Sequence, residues 1–161
     1  MARTPIERKS GVAIEMFGMD DFLRDLRRAP AETRRAVSHG SREIAKTVLV
    51  QMKLRSRTVF HAAQYQTIVP SLKTPVGPVP KIQGGGASPK AAVSRRKNRP
   101  APGAIFFGVE FGGGRKSTTR QFPHHRGRKG YVLYPTIIKM RGFIQKEYTK
   151  QIEDVLKGLA R

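Results

Sequence analysis

The sequence predicts an α+β domain: a small, mainly antiparallel sheet packed by a long central helix and a C-terminal helix. Three observations predict it. Between Ala104 and Ile138 the chain reads A-I-F-F-G-V-E-F-G-G-G, then a basic, histidine-bearing loop, then G-Y-V-L-Y-P-T-I-I. Within it, Ile105–Phe111 and Tyr131–Tyr134 are aromatic, β-branched and bounded by glycine, as strands of a small sheet are. Elsewhere two long stretches repeat apolar residues every three or four positions, the period of an amphipathic helix.

Taken in order, Met1–Ser10 reads as an N-terminal arm, and the weak alternation of Val12–Phe17 predicts a short edge strand that Gly18 ends. Asp20 and Asp21 suit the positive end of a helix running to about Arg28, with Phe22, Leu23 and Leu26 inward. After Pro30, a residue at home in a helix's first turn, a second helix is predicted from Ala31 to Leu54. Val37, Gly40, Ile44, Val48 and Met52 mark its buried face. Gly40 there costs about 1 kcal/mol against Ala, which points to close approach of another backbone. Arg55–His61 leaves the helix, and Ala63–Val69 predicts a strand that Pro70 stops.

From Ser71 to Gly103 the apolar period is lost in P-V-G-P-V-P-K-I-Q-G-G-G and S-R-R-K-N-R-P-A-P-G, which predicts a long extended loop within one domain spanning 1–161. The closing helix is predicted from Thr136 to Leu159, on Ile137, Met140, Ile144, Tyr148, Ile152, Val155 and Leu159.

Charge narrows the function. The 161 residues carry a net charge of +21, and hydrophobic residues make up only 38% of them, with 16 Gly and 11 Pro. Between Arg55 and Gly130 fifteen Lys or Arg face a single acid, Glu110. Such a field repels itself unless an anion screens it, which points to nucleic acid or an acidic protein surface as partner. With no cysteine, disulfides and thiolate metal sites are excluded. No run approaches the roughly 18 apolar residues of a membrane span, and the basic start leads into V-A-I-E-M-F-G-M-D-D, too acidic for a signal peptide. A soluble compartment is the expectation.

Groups that converge for catalysis are not assembled by the sequence, and no enzyme activity, cofactor or metal site is expected. His39 falls inside a helix, His61 stands alone at a helix end, and the side chains of adjacent His124 and His125 diverge in extended chain. Gly112–Gly114 followed by R-K-S-T lacks the spacing of a phosphate loop. The basic clusters interleave few aromatics, so phosphate or acidic-protein contact fits better than base stacking. Arg95, Arg96, Lys97 and Arg99 form one candidate contact loop. Arg115, Lys116, Arg120, Arg126, Arg128 and Lys129 form the second, at the tip of the expected hairpin. Glu110 is expected to pair with one of these arginines inside the protein.

Several stretches together resemble a known family. V-A-I-E-M-F-G-M-D-D-F-L-R-D-L-R-R-A, the long helix ending near I-A-K-T-V-L-V, the run F-G-V-E-F-G-G and the closing amphipathic helix are similar to the minor tail-component proteins of long-tailed double-stranded DNA bacteriophages. These are also called tail-completion or neck proteins. R-Q-F-P-H-H-R-G-R-K-G-Y-V-L-Y-P-T-I looks like the versions from phages of actinobacteria. The family's A-P-x-x-T-G step is replaced here by M-K-L-R-S-R-T, and the loop Ser71–Gly103 is unusually long and basic.

The resemblance implies a structural virion protein, assembled in the host cytoplasm, whose copies form a six-fold ring at the head–tail junction. Its implied partners are further copies of itself, the head–tail connector or stopper, the tail terminator or tail tube, and the double-stranded DNA in the exit channel. The alternatives are a tail terminator capping the tube and a basic nucleic-acid-binding protein without sequence specificity.

Overall fold

A computed structural model describes residues 19–84, 102–113 and 122–159. The described residues are helical, with no β-strand and no sheet, so the expected α+β architecture is wrong. Five α-helices follow one another: α1 (Met19–Arg28), α2 (Ala31–Val59), α3 (Ala62–Ile68), α4 (Pro102–Phe111) and α5 (Leu133–Leu159). Among the described residues, extended pairing is confined to two isolated bridges, Lys73 with Gln83 and Gly113 with His124. The predicted strand at Val12–Phe17, the Met1–Ser10 arm and the middle of the long loop lie outside the described residues.

The frame is an antiparallel pair. α2 and α5 pack along their lengths. The α5 side chain of Gln151 donates to the Val37 carbonyl near the start of α2 (2.5 Å), whereas Arg55 near the end of α2 donates to the Tyr131 carbonyl just before α5 (2.7 Å). The apolar stripe predicted for α2 is the buried one: Val37, Ile44, Val48 and Met52 face the core. Gly40 is small because the end of the Gln151 side chain lies against it, not because a second backbone does. α2 also runs beyond Leu54, since Met52 and Ser56 continue its buried face and Ser56 turns its hydroxyl onto the Met52 carbonyl (2.7 Å).

α3 and α4 replace two of the predicted strands. A short apolar run does not by its period alone separate a buried helix from a strand. Here the helical spacing is the one the core uses: Ile105 and Val109, four apart on α4, join Ile68 of α3 in a single apolar cluster with Met52, Val132 and Tyr148. On the outer side of α4, the Phe107 and Phe111 rings stack one turn apart, with centroids separated by 6.2 Å. At the start of α3 the Gln64 side chain accepts the His61 backbone N–H (3.3 Å), an N-terminal cap that a strand reading overlooks.

The remaining predicted strand among the described residues, Tyr131–Tyr134, is instead a bend that runs into the first turn of α5. The described part of the long loop, after a single 3₁₀ turn at Val69–Ser71, is a strap. It crosses α2 and α5, and its Pro78 carbonyl accepts hydrogen bonds from Ser41 (2.8 Å) and Tyr148 (2.7 Å).

Candidate functional site

Glu110 organises the segment that carries the second basic loop. Its side chain is 0% exposed, at the last turn of α4. One carboxylate oxygen, Oε2, accepts the backbone N–H groups of Val132 (3.0 Å) and Leu133 (2.9 Å), and Oε1 accepts that of Tyr134 (3.1 Å). These are free amides at the start of α5, where the helix dipole also favours a negative charge. Among the described residues the partners of Glu110 are therefore backbone amides, and not the arginine expected for it.

This anchor holds the two ends of the loop together. The Gly113 N–H donates to the Pro123 carbonyl (2.9 Å), and the Arg126 N–H donates to the Phe111 carbonyl (2.8 Å). A Cβ on Gly112 would collide with the His124 carbonyl, so the approach of the two segments needs glycine there. The Tyr131 hydroxyl donates to the same carbonyl (2.8 Å), and the Arg126 guanidinium lies over the Tyr131 ring, 4.8 Å from its centre. The flanks of the loop are thus helices, not strands, but they meet at a closed neck as a hairpin's flanks would.

Of the predicted contact residues, Arg126 and Lys129 are exposed at this neck, and the backbone of Arg128 lies in a 3₁₀ turn, Gly127–Lys129. Arg95, Arg96, Lys97, Arg99, Arg115, Lys116 and Arg120 lie outside the described residues. The four histidines do not converge. His39 is exposed with its Nε2 3.9 Å from Glu43, His61 precedes α3, and His124 and His125 are both exposed. Among the described residues no group of three or more His, Asp or Glu side chains could hold a metal ion.

Two grooves flank the first half of α2. One, of about 600 Å³, lies between α2 and the strap and is lined by Arg34, Arg35, Ser38, His39, Arg42 and Val76. The other, between α2 and α5, carries Glu32, Glu147 and Asp154 with Lys150 among them. The arginine groove was missed by a reading that followed only the apolar face of α2. Its signal was in the sequence all the same, as basic residues repeating at helical spacing on the other side. One turn along α2 from His39, a hydrogen bond from Lys46 holds the Glu43 carboxyl below its usual range.

No protein-family model, no curated protein and no solved structure matches this chain.

Proposed function

We propose that this chain is a structural virion protein that forms a ring at the head–tail junction of a long-tailed phage. In that place it joins the head connector to the tail tube and surrounds the channel through which DNA leaves. The observation that carries the reading is the burial of Glu110. It is the single acid between Arg55 and Gly130, and its charge is turned inward onto the amides of α5. The ionised side chains that this stretch exposes among the described residues, such as Arg57, Lys73, Lys81, Arg126 and Lys129, are cations. A surface of one sign is made for contact with a polyanion rather than for acid–base chemistry.

The resemblance supports this reading along most of the chain, although its F-G-V-E-F-G-G run is helical here instead of a strand. Apolar side chains left outside also suit a protomer with neighbours: Phe107 is 51% exposed and Ile138 68%. A ring needs heterologous contacts of this kind, and binding to neighbours stabilises each copy by mass action. A basic nucleic-acid-binding protein is the second reading, favoured by the arginine groove on α2.

Sedimentation separates the two. The ring reading expects the purified chain to assemble with itself or to co-sediment with connectors or tails. A monomer with no affinity for connectors, tubes or tails contradicts it.

A further inference from the structure

We infer that the outer face of α2 is a rigid rail for the phosphate backbone of duplex DNA. The inference rests on the function proposed above only in taking the same duplex as partner, and it is tested apart from ring formation. Arg35, Arg42, Lys46, Lys53 and Arg57 succeed one another at steps of seven, four, seven and four along α2. At 3.6 residues per turn these steps keep all five on one stripe, and the stripe is about 33 Å long at 1.5 Å per residue. It lies away from the side on which Val37, Ile44, Val48 and Met52 are buried.

Four of the five cations are exposed, and Lys53 is half-buried. Two are held in place by neighbours: the Lys46 ammonium lies 2.6 Å from Glu43, and Arg57 Nε donates to the Tyr65 hydroxyl at 3.2 Å. Glu43 is the acid beside the stripe, and the acids Glu32, Glu147 and Asp154 line the groove on the α5 side. The segregation leaves a continuous cationic row.

The length is what favours duplex DNA. A row of about 33 Å is close to one helical turn of the duplex, about 34–36 Å. A helix packed along its length against a second one presents such a row without rearranging. At its first end the groove adds Arg34, Ser38 and His39 beside Arg35 and Arg42, with Val76 of the strap as the opposite wall. Guanidinium groups grip phosphate oxygens through paired hydrogen bonds, so this end is the tighter one. No aromatic side chain stands in the stripe, and Val50 occupies its middle. Contact is therefore with the backbone of the nucleic acid and not with its bases.

The test compares the full chain with the variant R35A/R42A/K53A and with a loop variant, R95A/R96A/K97A/R99A. Each is titrated with a 30-base-pair duplex of mixed sequence at a series of salt concentrations. Each phosphate contact contributes about 0.9 to the slope of log affinity against log salt. The rail variant is expected to bind the duplex less tightly, with a slope shallower by about 2–3. The loss should be the same for duplexes of different sequence, and sedimentation should show the variant's self-association unchanged. A rail variant that keeps the affinity and slope of the parent overturns the inference, whether the loop variant then carries the loss or the parent prefers an acidic protein to the duplex. A parent that binds the duplex through α2 but never assembles supports the rail and sinks the ring. A circular dichroism melt of each variant checks that the substitutions leave the fold intact, and a rail variant that melts like the parent and still holds the duplex as tightly is the decisive negative.

Discussion

Glu110 and Pro135 between them dispose of the four amide positions at the start of α5. The Val132 carbonyl accepts the first helical bond, from the Thr136 N–H (3.1 Å), so the free positions are Val132, Leu133, Tyr134 and Pro135. Glu110 accepts the N–H groups of the first three, and Pro135 has none to satisfy. A carboxylate that lies more than twenty residues earlier in the chain thereby starts the helix three residues before Thr136, where local pattern begins it.

The first prediction concerns that carboxylate. Glu110→Ala leaves three amides at a buried helix end without an acceptor, and each such loss costs about 1–3 kcal/mol. The variant is expected to be destabilised by about 3–5 kcal/mol, with a melting temperature lower by about 10 °C or more. Glu110→Gln keeps one acceptor oxygen but aims an amide donor at amide donors, so its loss should be smaller than that of Glu110→Ala while still clear. Thermal and urea denaturation measure both. An unchanged midpoint for Glu110→Ala would remove Glu110 from the centre of the account.

The second prediction uses two glycines that share a positive φ. Gly130 has φ +59° with ψ 177°, a region that essentially glycine alone occupies, and Gly127 has φ +60°, so alanine is strained at both positions. They differ in surroundings: a Cβ on Gly130 would collide with Glu110 Oε1, whereas one on Gly127 meets open space. Gly130→Ala is therefore expected to destabilise the protein by at least about 1 kcal/mol more than Gly127→Ala. Equal losses in urea denaturation would mean that Gly130 does not guard the carboxylate.

The helices that the sequence makes legible are those whose apolar period is long. α1, α2 and α5 follow from their acids, their stripe positions and Pro30, with only the ends displaced. α3 and α4 are not legible in the same way, because seven and ten residues offer two or three turns of evidence. In I-F-F-G-V-E-F the aromatic and β-branched content speaks for a strand. What decides for a helix is tertiary: Ile105 and Val109 one turn apart reach the core, and Glu110 reaches α5. The candidate site divides similarly. That the chain at Gly112 and Gly113 closes against a later segment was legible from the glycines, but the partner of Glu110 was not, since a remote helix start leaves no local mark. The cationic stripe on α2 was legible and went unread behind the apolar one.

The third prediction is a pH dependence. Burial pushes the Tyr148 hydroxyl up from about 10 to about 12, a shift that contact with Ser41 reduces. The protonated phenol is the form the fold favours, so its contribution is fully present below pH 10. It is lost as pH rises from about 10 to about 12, because the unfolded chain releases the proton first. Stability of the parent should therefore fall more steeply across this window than that of Tyr148→Phe. Urea denaturation at pH values from about 9 to 12 makes the comparison, and parallel curves would contradict it.

The fourth prediction concerns the strap. Ser41 and Tyr148 both donate to the Pro78 carbonyl, so either alone keeps that oxygen satisfied. Ser41→Ala and Tyr148→Phe are each expected to cost about 1 kcal/mol, and the double variant about 0.5–1.5 kcal/mol more than their sum. A double-mutant cycle by chemical denaturation reads the coupling, and strict additivity would mean that the two hydroxyls do not share the strap.

The central claim is that this chain works by contact, as a ring between head and tail. Imaging the assembled complex by electron cryo-microscopy tests it most directly, since copy number and position are read from the same map. The predicted result is a closed ring of copies at the head–tail junction, around the DNA channel and between connector and tube. Particles in which this chain lies elsewhere, or is absent from the junction of an otherwise complete tail, would contradict it.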